Sequence, residues 1–165
     1  VSGGFCSNFI HRLRPGDCIH VEGPYGDFRL DHGSQRDILM IATGTGIAPI
    51  KSMLLSLLGQ TGTRRIRLFF GLRNVSDLFY TNMLSDLRET HPWFEPTIIL
   101  SQPDPIGWPG LRGRVTDLIR DQVSVDEASN TDAYLCGGRP MIEEAKRLLI
   151  HKGMRVDHIR HENFF

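Results

Sequence analysis

Two glycine turns and one cysteine hold most of the chemistry open to this chain. The first turn, Gly44-Thr45-Gly46, follows the apolar run Ile38–Ala42 and leads into an amphipathic stretch with Pro49 near its start. Glycines let a backbone approach an anion closely, and the unpaired N–H groups of a first helical turn point at it. Pro49 suits that turn, where its missing N–H costs nothing and its φ is already set. The second turn, Gly137-Gly138-Arg139-Pro140-Met141, comes directly after Cys136 and another apolar run. In an open parallel sheet ligands sit outside the C-terminal ends of the strands, so both turns are expected to face one site. A lone Cys such as Cys136 is, by itself, more often a small buried hydrophobe than a reactive group. Gly3-Gly4 with Cys6 and Ser7 makes a third, weaker anion nest, which a helix cap by Ser7 explains about as well. Arg73, just past Gly71, could meet a negative ligand group.

Several familiar chemistries do not fit. A dinucleotide fingerprint of the G-x-G-x-x-G type wants a third glycine, where this chain has Pro49. It also wants a carboxylate roughly 20 residues on for the ribose hydroxyls, where this chain has Phe69-Phe70-Gly71-Leu72-Arg73. A phosphate-binding P-loop fails too, because Ile50 occupies the glycine position before Lys51. His158 and His161 would face opposite sides of a strand with no third ligand in view, so they read as surface residues and no metal site is expected. Trp93 and Trp108 read as packing or loop anchors. The three cysteines, Cys6, Cys18 and Cys136, show no C-x-x-C spacing, which fits free thiols in a reducing cytoplasm. Zero formal net charge over 165 residues gives no field for nucleic acid or an anionic membrane. The apolar runs are too short for a membrane span. At 40% apolar and 23% charged residues the chain has material for one soluble core.

These residues must be positioned by regular elements, and from Arg36 onward strands alternate with helices. Strands are expected at Ile38–Ala42, Arg65–Phe70, Thr97–Leu100, Ala133–Cys136 and Val156–Ile159. The helix after the first strand carries Ile50, Met53, Leu54, Leu57 and Leu58 on one stripe and ends at Gly59–Gly62. A second starts at Ser76 or Asp77 and buries Tyr80, Met83, Leu84 and Leu87. A third, opened by Arg114 or Thr116, carries Val115, Leu118 and Ile119. A last one spans Met141–Lys152 and ends at Gly153. Ser101–Gly113, rich in Pro and Gly, is expected to be an irregular surface loop. The pattern predicts an α/β fold with a five-stranded, parallel, doubly wound sheet. Residues 1–33 read as a different module: a short helix over Asn8–Leu13, a turn at Arg14–Asp17, a strand at Cys18–Glu22 and a break at Gly23-Pro24-Tyr25-Gly26. One helix and a strand cannot bury a core, so this piece must dock on something, and Asp31–Gln35 reads as a linker. With Val as its first residue, the chain is expected to be a fragment of something longer.

The ordered set of motifs resembles the ferredoxin–NADP⁺ reductase superfamily. It comprises Gly3-Gly4-x-x-Ser7, Gly23-Pro-Tyr-Gly-Asp-Phe28, Gly44-Thr-Gly-Ile-Ala-Pro49, Cys136-Gly-Gly-Arg-Pro-Met141 and Glu162-Asn-Phe164. Phe70-Gly-Leu-Arg73 with Asp77-Leu78, and Gly113-Arg-Val-Thr116, are similar to that family as well. The likeness covers essentially the whole chain and is greatest to the NADH-dependent flavin reductase components of bacterial aromatic-ring oxygenases. It implies that residues 1–33 are the C-terminal remnant of an antiparallel FAD-binding barrel and that residues 36–165 are a complete NAD(P)-binding domain. By similarity, Gly4, Cys6 and Ser7 sit at the FAD pyrophosphate. Gly44, Thr45, Gly46 and Pro49 take the pyrophosphate and nicotinamide side of NAD(P)H. Cys136 lies beside the nicotinamide, with Gly137, Gly138, Pro140 and Met141 shaping the pocket. Glu162 is the carboxylate near the reacting rings, and Phe164 flanks the flavin.

The resemblance implies electron flow from NADH through FAD to an iron–sulfur carrier, with a ferredoxin or an oxygenase component as acceptor. The family's Arg-x-Tyr-Ser flavin strand is absent, so this chain alone is expected to bind FAD poorly. No plant-type C-x₄-C-x₂-C run is present, which puts any 2Fe-2S cluster upstream or on a partner. Ser101-Gln102 stands where NADP-preferring members often have Ser-Arg, favouring NADH, while Arg73 keeps NADPH open. The alternative is a nucleotide-binding or regulatory module without redox turnover.

Overall fold

The computed structural model describes residues 4–23, 25–58, 64–103 and 107–164. Among these, six parallel strands form one sheet: β1 (Asp37–Thr43), β2 (Ile66–Leu72), β3 (Phe94–Leu100), β4 (Leu111–Arg112), β5 (Thr131–Gly137) and β6 (Ile159–Asn163). Their spatial order is β4-β3-β2-β1-β5-β6. The chain builds outward from β1 to one edge and then returns to add β5 and β6 on the other side. The order therefore reverses between β1 and β5, which pair from Asp37 with Thr131 to Ala42 with Cys136.

Strand β1 shows why the sheet has helices on both faces. Successive side chains of a strand point to opposite sides. Ile38, Met40 and Ala42 enter one core cluster with Ile47, Ile50, Met53, Leu54 and Leu57 of α2 (Ile47–Leu58) and Leu84 of α3 (Thr81–Thr90). Leu39 and Ile41 enter a second cluster, with Leu118 and Ile119 of α4 (Val115–Gln122) and Ile142, Ala145 and Leu149 of α6 (Arg139–His151). A strand buried on both faces reads as a continuous apolar run, and Ile38–Ala42 is one. The short α5 (Val125–Ser129) is capped by the Ser124 hydroxyl, which accepts from the Glu127 N–H.

The N-terminal end of the sheet is closed by ion pairs. Asp132, fully buried on β5, accepts from the His158 ring nitrogen Nδ1 at 2.7 Å and has Arg36 at 3.4 Å. Arg67 on β2 binds Glu127 at 2.7 Å and the Gln122 carbonyl at 3.0 Å, and its neighbour Arg65 pairs with Glu95 at 2.8 Å. A buried carboxylate needs such partners, since removing a charge from water without them is costly.

Several elements depart from expectation. The sheet has one strand more than the apolar runs marked: β4, two residues long, forms inside the loop read as irregular and pairs Ile99 with Leu111. Strand β3 starts at Phe94 and passes through Pro96, with Pro96 in register opposite Leu68. The last strand lies later than expected, because Val156–His158 is a 3₁₀ turn and pairing starts with Ala133 opposite Ile159. As an outer strand β6 can carry the polar Arg160, His161 and Glu162, so no apolar run announces it. Tyr80 is not on the buried face of its helix. It precedes α3 with φ 60° and is exposed. The helix stop at 59–62, the loop centre at 104–106, Gly3, Pro24 and Phe165 lie outside the described residues.

The described residues of 4–33 form the helix α1 (Phe5–Arg12) and otherwise no regular element, and Cys18–Glu22 is not a strand. A strand exists through its partner, and no described residue pairs with this one. None of α1 is buried, and Phe5, Ile19, Val21 and Tyr25 stand exposed. Contact with the sheet begins at Phe28 and Leu30, which pack on the first core cluster. The linker is therefore docked rather than free: the Asp31 N–H donates to the Tyr134 hydroxyl at 2.9 Å.

Candidate functional site

The crevice lies where the strand order reverses, at the C-terminal ends of β1 and β5. Strand β1 ends at Thr43, and Gly44–Gly46 makes a single 3₁₀ turn into α2. The two glycines do different work. Gly44 has φ +53°, and a Cβ there would meet nothing within 4 Å, so its bare backbone faces open space. Gly46 is buried, and a Cβ there would lie 2.3 Å from the Cys136 carbonyl oxygen. Gly44 thus leaves room for a ligand, whereas Gly46 lets the turn close onto β5. Gly137 belongs to the same contact, since its Cβ would lie 2.1 Å from the Thr43 hydroxyl. Thr45 is exposed beside this turn, and Pro49 stands half-buried in the first turn of α2.

On the β5 side, Gly138 is the N-cap of α6, and Pro140 sits in that helix's first turn. A Cβ on Gly138 would touch nothing nearer than the Pro140 ring at 4.0 Å. Met141 is half-buried against the second core cluster. Two helix N-termini, those of α2 and α6, therefore flank the crevice from adjacent strands. The positive ends of their dipoles favour a negative charge between them. Bare backbone, open space and paired N-termini together fit the diphosphate of a dinucleotide.

Cys136, Glu162 and Phe164, far apart in sequence, are brought together. Cys136 stands opposite Glu162 in the β5–β6 register. The Phe164 N–H donates to the Gly137 carbonyl at 3.1 Å, and its ring packs on the core cluster that contains Cys136. Cys136 is fully buried. Burial, and then the negative charge of Glu162, push its thiol up to about 11. The thiol is therefore held neutral, unlike a thiolate nucleophile. Glu162 is exposed.

Arg73 and Ser101 meet at the ends of β2 and β3. The Ser101 N–H donates to the Leu72 carbonyl at 2.9 Å, and the next N–H, of Gln102, donates to the Arg73 carbonyl at 2.8 Å. Both side chains are exposed on this edge. Nearby in the chain, the Lys51 ammonium lies 4.2 Å from the Tyr80 ring centroid, and the Tyr80 ring also packs edge-on to Phe79. Positive φ at an aromatic residue is costly and needs surrounding contacts to hold it.

Gly4, Cys6 and Ser7 are not joined to this crevice by any hydrogen bond or ion pair among the described residues. Gly4, and not Ser7, is the N-cap of α1, and no side chain caps that helix. His158 is not a plain surface residue, since it binds Asp132 at the opposite end of the sheet. Nothing in its spacing could have shown this, because its partner is 26 residues away. The contact of Lys51 with Tyr80 is one that sequence patterning missed, and a helix-spaced aromatic gives no sign of left-handed backbone. Among the described residues no group of His, Cys, Asp or Glu side chains is placed to hold a metal ion. None of their helices is long and apolar enough to cross a membrane.

Residues 40–147 match the family profile described as the oxidoreductase NAD-binding domain. The chain is 35% identical over 168 residues to the reductase component of phenol 2-monooxygenase from Pseudomonas sp. (strain CF600), covering 100% of this chain and 47% of that protein. It is 32% identical to the reductase component of propane 2-monooxygenase from Rhodococcus jostii (strain RHA1), covering 98% of this chain and 44% of that one. The chain thus spans about half the length of these curated relatives. Among solved structures, the Amycolatopsis cytochrome P450 reductase GcoB superposes with a TM-score of 0.76 at 28% identity, over 86% of this chain and 42% of that chain. The NAD⁺ form of the CS-b5R domains of human Ncb5or shares the fold, with a TM-score of 0.80 at 22% identity, over 98% of this chain and 46% of that one.

Proposed function

This chain belongs to the NAD-binding oxidoreductase domain of the ferredoxin reductase family, and from that premise we propose that it is the nucleotide-binding part of an NAD(P)H-dependent flavin oxidoreductase. Its electrons pass from NADH through FAD to an iron–sulfur carrier, and the whole protein serves a multicomponent oxygenase in the cytoplasm. The observation that carries this reading is the convergence of the Gly44–Gly46 turn, the Cys136–Gly138 turn and the Glu162–Phe164 ending at one crevice. The names of the relatives support it, since they are reductase components of phenol and propane monooxygenases.

When bound, the nicotinamide supplies a hydride and the flavin takes up the electron pair and releases it singly. The chain's own residues bind, orient and shield. Gly44 and the N-termini of α2 and α6 would hold the diphosphate. The neutral thiol of Cys136 gives the nicotinamide end an uncharged support. Glu162, opposite Cys136 on the next strand, would supply negative charge beside the reacting end. Phe164, fastened through its N–H to Gly137, shields the crevice from water. Arg73 and Ser101 serve the adenosine end, with NADH preferred and NADPH accommodated through Arg73. Gly4, Cys6 and Ser7 serve the flavin pyrophosphate on the preceding barrel, of which residues 1–33 are the last part.

The test is made on the full-length natural protein. It is expected to be yellow, with the absorption bleached by NADH. A colourless protein that still binds NADH overturns the redox reading in favour of a nucleotide-binding module. Replacing Cys136 by Ala is expected to slow flavin reduction roughly tenfold or more while changing NADH affinity little, since small misplacement of a reacting group is costly. Unchanged stopped-flow reduction removes Cys136 from the account.

A further inference from the structure

Strand β5 presents Asp132, Tyr134 and Cys136 on one face, and the neighbouring strand answers each of them. His158 meets Asp132 at 2.7 Å, Arg160 stands opposite Tyr134, and Glu162 stands opposite Cys136. The first rung is closed by Arg36, and the third belongs to the crevice. The middle rung receives the linker. Arg160 donates to the Asp31 carboxylate at 2.8 Å, and the Asp31 N–H donates to the buried Tyr134 hydroxyl at 2.9 Å. The Arg160 guanidinium lies 5.6 Å from the Tyr134 ring centroid, and Phe28 packs on that ring from 6.3 Å. The other terminal nitrogen of Arg160, Nη1, is buried without a partner. Asp31 is thus the carboxylate that offsets burial of this guanidinium, and without it two donors are left unmet.

We infer that Asp31, Tyr134 and Arg160 form a latch that positions the module preceding residue 28 over the Cys136–Glu162 rung. The latch sits one rung, about 7 Å of strand, from that pair. Residues 4–27 offer no other fixed point, since none of those described is buried. Displacement of the linker would shift whatever it carries relative to the crevice, without touching the Gly44 turn where the nucleotide binds. Tyr134 and Arg160 are therefore positioning residues. This rests on the functional reading above, and its test separates the two.

In the full-length natural protein, Tyr134→Phe removes the hydroxyl alone, and Arg160→Met removes the guanidinium while keeping the stem. Each is expected to raise amide exchange in the segment 28–33 about tenfold, as local opening there becomes easier. Each should lower the limiting rate of flavin reduction about tenfold, the scale of a modest loss of orientation, with NADH affinity unchanged within about twofold. Arg160→Lys, which keeps the charge, is expected to restore most of the rate. The double variant should be no slower than the slower single one, because both break the same latch. Unchanged exchange in both single variants overturns the latch. So does raised exchange with an unmoved reduction rate, or a rate loss matched by weaker NADH binding. If the unaltered protein shows no flavin reduction, the functional reading fails, and the exchange arm alone decides whether the latch anchors the linker.

Discussion

The two ends of this sheet are built on opposite plans. At the N-terminal end charged side chains are paired: Asp132 with His158 and Arg36, Arg67 with Glu127, Arg65 with Glu95. At the C-terminal end backbone is left bare by Gly44 and Gly138, and Glu162 and Arg73 have no ion-pair partner among the described residues. The N-terminal end uses its charges to hold strands and linkers in place. The C-terminal end leaves the charges of Glu162 and Arg73 exposed. The same fold thus separates stability from function along a single strand direction, as the switch-point rule for open parallel sheets implies.

The comparison breaks first at Gly46, which lies at the functional end but acts structurally. With a Cβ 2.3 Å from the Cys136 carbonyl oxygen, Gly46→Ala is expected to cost about 3 kcal/mol in chemical denaturation, the upper end of the usual range for overpacking. A cost under about 1 kcal/mol would show that the turn can move away from β5. At the other end, Asp132→Ala should cost roughly 2 kcal/mol with little change in NADH affinity. That lies below the loss for a fully enclosed pair, because Arg36 and His158 keep 26% and 25% of their side-chain surface in water. A large loss of NADH affinity instead would mean the two ends are not separable.

Gly44→Ala sharpens the contrast. Its left-handed φ costs a substituted residue about 1 kcal/mol, while a methyl group pushed into the diphosphate space should weaken NADH binding at least about tenfold. Titration calorimetry beside a denaturation curve reads both numbers. The smallest effect is a pH dependence at Cys136. Its thiol is raised from 9.0 to about 11 in the fold, so the folded chain holds that proton more tightly than the unfolded one. Its contribution to stability is complete below about pH 9 and is lost as the pH rises toward 11. The unaltered protein should therefore lose stability faster than Cys136→Ala between pH 9 and 11. Parallel curves would mean that the thiol is less enclosed than its position indicates.

Much of this was legible in the chain. Strand β1 and the segments Leu68–Phe70 of β2 and Ala133–Cys136 of β5 are apolar because both faces are buried; of the stripe expected on α2, Ile50, Met53, Leu54 and Leu57 enter the core while Leu58 is only half-buried. That the two glycine turns lie side by side was legible, since strand ends and turn chemistry are local signals. What escaped notice depended on partners distant in sequence. Strand β4 is two residues long and exists through its pairing with β3. Strand β6 is polar because it is an edge. The expected strand at Cys18–Glu22 has the right alternation but no partner among the described residues. The separate duties of Gly44 and Gly46 were equally hidden, because two identical residues in one turn differ here by what stands opposite them. The pairing of Asp132 with His158 likewise arises from the fold of β5 against β6.

The pairing of β1 with β5 has a consequence for synthesis. Residue 131, which partners Asp37, is 94 positions further along the chain. At about 5–20 residues per second the ribosome takes roughly 5–20 seconds to supply it. During that interval β1 can pair with β2 on one side only, and its other edge displays the N–H and C=O groups of an unusually apolar segment. The crevice cannot form until this wait is over, because its second wall is β5 itself. A chain stalled or cut before residue 131 would carry that open edge permanently, and β1 is where such a fragment would add to another chain.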